Sequence, residues 1–278
     1  MIKKCKRIDE KLGITILLDS NILNDQIYHN LEKVIGDNDL DVMLIFFCEE
    51  PVLGLKFGLK ISEILSIVNF MVQFSKRKVY CDIYSDLSFD KNKVILLNKL
   101  LSKIDRNKFN YCFTPTYIKG VAVSKFKENI SILEGLGILG EVSCVICRDS
   151  YDEDMNFFIS LKNSFSSVIA NPNHGEEVWF YEKLGSRNIF YPTHEIEYED
   201  DKKETMSIYD LRNISNFKGY TCNKKNHLTI QLSGPVYFCM TDFIDKTNAF
   251  DIYNDLPELN SICDKHTCQH EDNVSVCR

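Results

Sequence analysis

Residues 42–47 read VMLIFF, an almost unbroken apolar run that is typical of a strand buried on both faces of a parallel sheet. Residues 61–74 follow with apolar side chains at helical spacing, and residues 79–84 (VYCDIY) form another strand-like run. A strand, a helix and a strand in this order are typical of a right-handed β-α-β unit. This stretch therefore predicts parallel strands joined by a crossover helix.

The same alternation extends in both directions along the chain. Four further strand-like runs lie at residues 14–18, 109–113, 142–147 and 167–170, and helical patterns lie at residues 19–34, 94–104, 126–136 and 155–165. Gly137 is expected to cap the helix that precedes it. Six β-α units predict an α/β fold, either a doubly wound sheet or a full or partial TIM-like (β/α) barrel. In both cases the working face is at the carboxyl ends of the strands.

Composition limits the possible classes of function. The chain has 278 residues, 44% of them hydrophobic, and a net charge of −7, which favours one large domain or one large and one small domain. The acidic balance argues against binding to nucleic acid or to an anionic membrane through bulk charge. No apolar run reaches the roughly 18–20 residues of a membrane span, and the basic N-terminal stretch lacks the features of a signal peptide. We expect a cytoplasmic protein.

The pattern changes after residue 194. Residues 195–204 are a run of charged side chains, which indicates a solvated linker. Two apolar runs then flank Ser233-Gly234, at residues 228–232 and 236–240, and predict a β-hairpin. We predict a barrel domain over residues 1–194, a linker over residues 195–215 and a small cysteine-rich domain over residues 216–278.

Eleven cysteines are unusual for a chain expected in a reducing compartment, where disulfides are rare. Cys222 and Cys239 bracket the predicted hairpin. Cys263 and Cys268 lie in a polar segment that has little core in which to bury them. Four thiolates in two local pairs suit a structural zinc ion or an iron–sulfur cluster, and the remaining alternative is incidental thiols. Further possible zinc ligands nearby are His266, His270 and Cys277.

The other cysteines occupy a different context. Those inside the strand-like runs are expected to pack in the core as small apolar residues. They are Cys81, Cys112, Cys144 and Cys147. Cys48 follows the 42–47 run, and its pattern does not separate packing from function.

The C-terminal pattern resembles the twitch or SPASM extension of the radical S-adenosylmethionine superfamily. Such extensions begin with a cysteine, a spacer, a glycine, four residues and a second cysteine. Here eleven residues separate Cys222 from Gly234, and four residues separate Gly234 from Cys239. Cys263 and Cys268 resemble the second ligand pair, so the resemblance implies that these four cysteines bind one 4Fe-4S cluster. The β-α units resemble the partial (β/α)6 barrel of the family, and the resemblance thus covers most of the chain.

Two motifs at the front of the fold depart from the family. After the 42–47 run the chain reads Cys48-Glu49-Glu50-Pro51, where the family carries Gly-Gly-Glu-Pro. The bulk of Glu49 is expected to hinder the close approach to S-adenosylmethionine that those glycines allow. The family also places Cys-x-x-x-Cys-x-x-Cys after its first strand, whereas residues 19–29 (DSNILNDQIYH) contain no cysteine. The resemblance therefore implies a protein that has lost S-adenosylmethionine cleavage.

Residues 19–29 offer other possible metal ligands, namely Asp19, Asp25 and His29. Oxygen ligands suit iron–sulfur clusters poorly. Loop and helix-cap roles are favoured for Asp19 and Asn21, because short polar side chains are common in such positions.

The resemblance implies a binding or electron-transfer accessory module, acting beside an intact radical S-adenosylmethionine enzyme or on a peptide or small molecule under modification. One alternative is a barrel protein with a structural zinc site in its C-terminal lobe. Another is an enzyme with non-radical chemistry at the strand ends, where catalytic groups gather in such folds. Its candidate residues are Glu49, Glu50, Asp82, Asp86 and Thr114. Capping and packing explain His174, Trp179 and Phe180 more simply than ligand binding does.

Overall fold

The computed structural model describes residues 1–8, 10–36, 38–50, 55–88, 90–117, 122–172, 176, 179–180, 183, 192, 194–207, 210–211, 217–222, 226–239, 242–243, 246–257 and 276–277. Its helices are α1 (Asp25–Gly36), α2 (Ile61–Phe74), α3 (Lys91–Leu101), α4 (Val123–Gly135) and α5 (Tyr151–Lys162). Its strands are β1 (Ile2–Arg7), β2 (Leu12–Leu17), β3 (Val42–Phe47), β4 (Glu49–Glu50), β5 (Leu55–Lys56), β6 (Val79–Ser85), β7 (Phe109–Tyr117), β8 (Val142–Ile146), β9 (Val168–Pro172), β10 (His194–Tyr198), β11 (Lys203–Met206), β12 (Thr221–Cys222), β13 (His227–Gln231), β14 (Pro235–Tyr237), β15 (Phe250–Asp251) and β16 (Val276–Cys277).

Nine strands form the main sheet, in the order β15-β14-β13-β2-β3-β6-β7-β8-β9. All pairs from β13 to β9 are parallel, and from β2 to β9 the strands are neighbours in chain order. A doubly wound sheet reverses its strand order at a switch point. This sheet does not, so the doubly wound alternative is wrong. The sheet is also not closed, because β9 and β15 are its edges within the described residues.

Right-handed crossovers between strands in this order place the helices on one face of the sheet, where α1, α2, α3 and α4 pack side by side. We call this the helix face. Its strand residues, such as Leu44, Phe46, Ile83 and Phe113, are fully buried in one apolar core with residues of the helices. Burial of this apolar area is the main source of stability.

In strand β3 only one face is fully buried, whereas all six residues of β2 are buried. Leu44 and Phe46 are buried, whereas Met43, Ile45 and Phe47 on the other face are partly exposed. The expectation that the 42–47 run is buried on both faces is therefore wrong. An apolar run without alternation hides which of its residues face solvent. We call the second face the polar face.

The helix ends follow local sequence signals. Gly137 adopts φ +68°, and its N–H donates to the carbonyl of Glu134 at 3.0 Å, which confirms the predicted cap of α4. Asp90 caps α3, since its carboxylate accepts from the N–H of Asn92 at 2.9 Å. None of the helices in the described ranges combines the length and the apolar character that crossing a membrane requires.

A second sheet has the order β11-β10-β1-β16-β12 and packs on its own apolar cluster. Residues 195–204, expected as part of a solvated linker, form most of the antiparallel pair β10 and β11 instead. Ile196 points into the cluster and is buried, while Glu195 beside it is exposed. The many charges on the outer side of this pair resemble a linker when only composition is considered.

The predicted C-terminal hairpin is confirmed as β13 and β14, with Thr229 opposite Tyr237. Gly234 lies in its turn at φ +140°, a conformation that residues with a side chain rarely adopt. Strand β13 also pairs in parallel with β2, where Leu228 lies beside Ile14. The division into residues 1–194, 195–215 and 216–278 stays a prediction.

Candidate functional site

The centre of the polar face is Asp82, in the middle of β6. Strand alternation places Tyr80 and Tyr84 on the same face as Asp82. In register, Ile45 of β3 lies on one side of Asp82 and Cys112 of β7 lies on the other. Two further residues complete the group, which we call the Asp82 patch: Ile45, Phe47, Tyr80, Asp82, Tyr84, Cys112 and Thr114. The patch extends from Tyr80, near the amino end of β6, to Phe47, Tyr84 and Thr114, which lie toward the carboxyl ends of their strands, where ligand sites of such sheets usually form.

Thr114 holds the Asp82 carboxylate in place. Its hydroxyl lies 2.8 Å from one carboxylate oxygen and 2.9 Å from the other, and the Cys112 thiol donates to the first oxygen at 3.5 Å. The backbone around Thr114 is closely packed. A Cβ atom at Gly140 would lie 2.9 Å from the Phe113 carbonyl oxygen and 3.1 Å from the Thr114 hydroxyl. A side chain at position 140 would therefore displace Thr114 or the adjacent backbone of β7, and glycine avoids this clash.

Burial raises the pKa of the Asp82 carboxyl, although hydrogen bonds from Thr114 and Cys112 act in the opposite direction. Burial, followed by the negative charge of Asp82, raises the pKa of the Cys112 thiol to about 12. Across the ranges that the structure describes, no lysine, arginine or histidine forms an ion pair with Asp82. Among the described residues the carboxylate is thus oriented by neutral donors and has no cationic partner.

Asp86, just beyond the end of β6, has the opposite environment. It is 1% exposed, and the Lys56 ammonium lies 2.8 Å from its carboxylate. Burial alone would raise the pKa of Asp86, but hydrogen bonds from Lys56 and from the N–H of Ser88 outweigh it and lower the pKa. The ion pair fastens the ribbon formed by β4 and β5 to the loop after β6. Asp86 therefore has a structural partner.

The ribbon of β4 and β5 occupies the position that the sequence pattern assigned to a cofactor-binding loop. Glu49 pairs with Lys56 and Glu50 pairs with Leu55 along the two backbones. The carbonyl of Cys48 accepts from the N–H of Phe57 at 2.8 Å and of Gly58 at 2.9 Å. The backbone after β3 is thus already engaged in hydrogen bonds within the chain. Catalytic roles for Glu49, Glu50, Asp86 and Thr114 stay predictions.

Residues 19–29, after β2, contact the C-terminal part of the chain. Asp19 accepts hydrogen bonds from the N–H of Ser233 at 3.0 Å and from its hydroxyl at 2.5 Å. His29 lies 4.0 Å from the Asp255 carboxylate. In the described part of the chain, no three histidine, cysteine or acidic side chains group to hold a metal. Asp19, Asp25 and His29 are therefore not brought together. The loop role of Asp19 is confirmed, and Asn24 rather than Asn21 accepts from the first turn of α1.

The four cysteines predicted as ligands are only partly described. Cys222 in β12 lies in register with Val276 of β16, and its side chain packs against the apolar cluster of the second sheet. Cys239 follows β14 of the main sheet and is partly exposed. The others lie outside the described residues: Cys263, Cys268, His266 and His270, together with His174. Only the backbone of Cys277 is described, in β16.

The strand cysteines divide between the two faces. Cys81 and Cys144 are buried in the core as predicted, at 2% and 0% exposure, and Cys48 is buried with them. Cys112, on the polar face, and Cys147, just after β8, are partly exposed, so the core prediction is wrong for these two residues. The signal was present in the sequence, since Cys112 and Thr114 share one strand face and are two residues apart. Trp179 packs edge-on against Tyr151, in agreement with a packing role.

Comparisons with known proteins give little similarity. No family model matches the chain, and no curated protein matches it. One solved structure, described as native anSMEcpe with bound AdoMet, is similar at 12% sequence identity with a TM-score of 0.49. The match covers 87% of this chain and 78% of that chain. At this level the similarity carries no argument about activity or ligand.

Proposed function

We propose that this chain is a radical-SAM-like accessory module, for binding or electron transfer, that does not cleave S-adenosylmethionine. The observation that supports the proposal best is the use of residues 19–29 as a structural contact. Asp19 binds Ser233, and the Gln26 amide donates to Asp255 at 2.9 Å. In α1, the buried Asn30 amide donates to the carbonyls of Ile252 and Asn254. A segment without cysteine that anchors the C-terminal region has no means of holding a three-thiolate cluster.

The order of the parallel strands supports the architectural part of the proposal. Strands β2, β3, β6, β7, β8 and β9 follow one another without a reversal, as in a β/α barrel. In our proposal this sheet curves into a partial (β/α)6 barrel, with the polar face inside and the helix face outside.

The proposal includes one 4Fe-4S cluster bound by Cys222, Cys239, Cys263 and Cys268. The Cys–Gly–Cys spacing and the confirmed β13–β14 hairpin support it. Thiolates suit such a cluster, which when bound supplies a one-electron carrier. Among the described residues neither Cys222 nor Cys239 belongs to a group of three possible ligands, so the cluster depends on Cys263 and Cys268. The partner in this proposal is a peptide or protein, such as an intact enzyme of the same superfamily.

Metal analysis of protein purified without oxygen tests the cluster. We expect about four irons and four sulfides per chain, and loss of both in Cys239→Ser and Cys268→Ser. Cys147→Ser is the matched control, because Cys147 is a partly exposed cysteine outside the proposed ligand set. Zinc without sulfide would contradict the 4Fe-4S cluster and support a structural zinc site instead. Further candidate ligands of that zinc site are His266, His270 and Cys277.

A turnover assay tests the loss of cleavage. The purified chain, given a strong one-electron reductant and S-adenosylmethionine, is expected to release no 5′-deoxyadenosine. An intact radical S-adenosylmethionine enzyme serves as the positive control under the same conditions. Release by this chain above the reagent background would overturn the proposal.

A further inference from the structure

We infer that the Asp82 patch is a binding site for a small organic cation, such as a primary amine. The site combines a centrally placed carboxylate with aromatic rings on the same face of the sheet. It lies on β3, β6 and β7, on elements other than those of the C-terminal cysteines. The inference therefore stands apart from the proposed cluster.

The first argument is the charge of Asp82. A partly buried carboxylate is unfavourable unless a cation or strong hydrogen bonds compensate it. The Thr114 hydroxyl and the Cys112 thiol orient the carboxylate, but both donors are neutral. Burial raises the pKa of Asp82, which shows that these donors do not offset the loss of solvation. A cation that binds from outside would complete the site.

Asp86 shows what the fold does where it supplies the cation itself. It follows the same strand and its side chain exposes less surface than that of Asp82, yet its pKa is lowered. The Lys56 ammonium at 2.8 Å and hydrogen bonds from Ser88 lower the pKa of Asp86. Asp82 has an equally ordered carboxylate without such a partner in the part of the chain that the structure describes. One carboxylate is thus a structural anchor, and the other is suited to a ligand.

The second argument is the aromatic surround. The rings of Phe47 and Tyr84 stack with centroids 4.9 Å apart at the carboxyl-terminal side of Asp82. At the other side, the ammonium groups of Lys11 and Lys78 lie 4.6 Å and 5.1 Å from the Tyr80 ring centroid. Aromatic faces attract cations, and this face already holds two of them. A carboxylate between such rings favours an ammonium group attached to an apolar body.

The charges near the patch favour the same ligand class. The carboxylate of Glu141, in the segment before β8, carries the same charge as Asp82, and this repulsion contributes to the raised pKa of Asp82. This second negative charge favours cations over acids at the Asp82 carboxylate, whereas the Lys11 and Lys78 ammonium groups lie at the Tyr80 ring, on the amino-terminal side of the patch. Ile45 and the Cys112 thiol, the register neighbours of Asp82, give the sides of the patch an apolar character.

Calorimetric titration with a matched pair of probes tests the inference. 2-Phenylethylamine carries the ammonium group, and 2-phenylethanol is its neutral analogue. At pH 7.5 we expect saturable binding of the amine by the full chain, and at least about tenfold weaker binding of the alcohol. Equal affinities for the two probes, or no binding of the amine at millimolar concentration, would overturn the inference.

Variants then assign the binding to Asp82. We expect Asp82→Asn to weaken amine binding by about thirtyfold or more, since it removes one partner of a charge pair. Tyr84→Leu keeps the carboxylate and is expected to weaken binding several-fold. Asp152→Asn, at an exposed position of α5, is the control and should bind the amine as the unmodified chain does. Unchanged affinity in both Asp82→Asn and Tyr84→Leu would refute the assignment to this patch. Iron and sulfide content is measured on the same samples, so a failure here is distinct from failure of the cluster proposal.

Discussion

The two faces of the main sheet are built from the same strands but serve different purposes. In β3, Phe46 on the helix face is fully buried, whereas Phe47 on the polar face is partly exposed and stacks on Tyr84. In β6, Ile83 belongs to the core and Asp82 to the patch. A single residue step therefore separates a side chain that is buried in the core from one that is partly exposed on the other face of the sheet.

Truncation of the two neighbouring phenylalanines tests this contrast most strongly. Phe46→Ala leaves a cavity under the helices and is expected to lower the free energy of unfolding by about 3–5 kcal/mol. Phe47→Ala is expected to lower it by only about 1 kcal/mol, because part of the ring is already in solvent. Urea unfolding measures both values. Equal losses would mean that the two faces are equally buried.

Removal of the Lys56–Asp86 ion pair is expected to have the next largest effect on stability. Lys56→Met leaves the buried Asp86 carboxylate without its cation and should destabilise the protein by about 1–3 kcal/mol at neutral pH. The lowered pKa of Asp86 means that its contribution is present above the ordinary aspartate range and is lost as the pH falls through the folded-state value. The difference between the variant and the unmodified chain should therefore shrink in acid. Lys93→Met, at an exposed position of α3, should change stability by less than about 0.5 kcal/mol.

Asp82→Asn should have the opposite pH dependence. Because the pKa of Asp82 is raised, its favourable contribution is complete below the ordinary aspartate range and is lost as the pH rises through the folded-state value. The variant should thus equal the unmodified chain in acid and be up to about 1 kcal/mol more stable at neutral pH. Thermal unfolding between these limits measures the difference. Among the described residues, the ionisable groups beside Asp82 on this face or acting on its charge include Tyr80, Tyr84, Cys112 and Glu141, none of which is positive, and Lys11 and Lys78 lie over the Tyr80 ring.

The smallest and most local expected effect is a change in the rate at which Cys112 is alkylated. Its pKa of about 12 predicts slow alkylation by iodoacetamide at pH 8, in spite of its partial exposure. Asp82→Asn removes the charge contribution but not the burial, so the rate should rise only by a few-fold. Mass spectrometry of the modified chain gives the rate. Cys81, on the helix face, should stay unmodified in both proteins while they are folded.

Local patterns in the sequence were sufficient for most of the parallel sheet. The alternation of β-branched runs with helical spacing predicted the strands near residues 42–47 and 79–84 and the helix at residues 61–74, since each depends on neighbouring residues alone. Strand β1 was not predicted, because four of its six residues are lysine or arginine. Its pairing with β10 and β16 is decided by residues far away in the sequence.

The site could be predicted only as a set of strand ends. Asp82 and Thr114 were both named for their positions, but their hydrogen bond depends on the register of β6 against β7. Register is a property of strand pairs and leaves little trace in one strand alone. The ion pair of Lys56 with Asp86 could not be predicted either, because helix α2 separates the two residues in the sequence. Whether Cys222, Cys239, Cys263 and Cys268 form one centre stays a prediction.

The place of β13 beside β2 has a consequence for the order of assembly during synthesis. Strand β2 is made early, but its second neighbour emerges from the ribosome only with residues 227–231. Until then the nascent chain exposes an unsatisfied edge of a largely apolar strand, which is prone to aggregation. Protease protection of β2 in ribosome-bound chains is therefore expected to appear late, after the hairpin has left the exit tunnel.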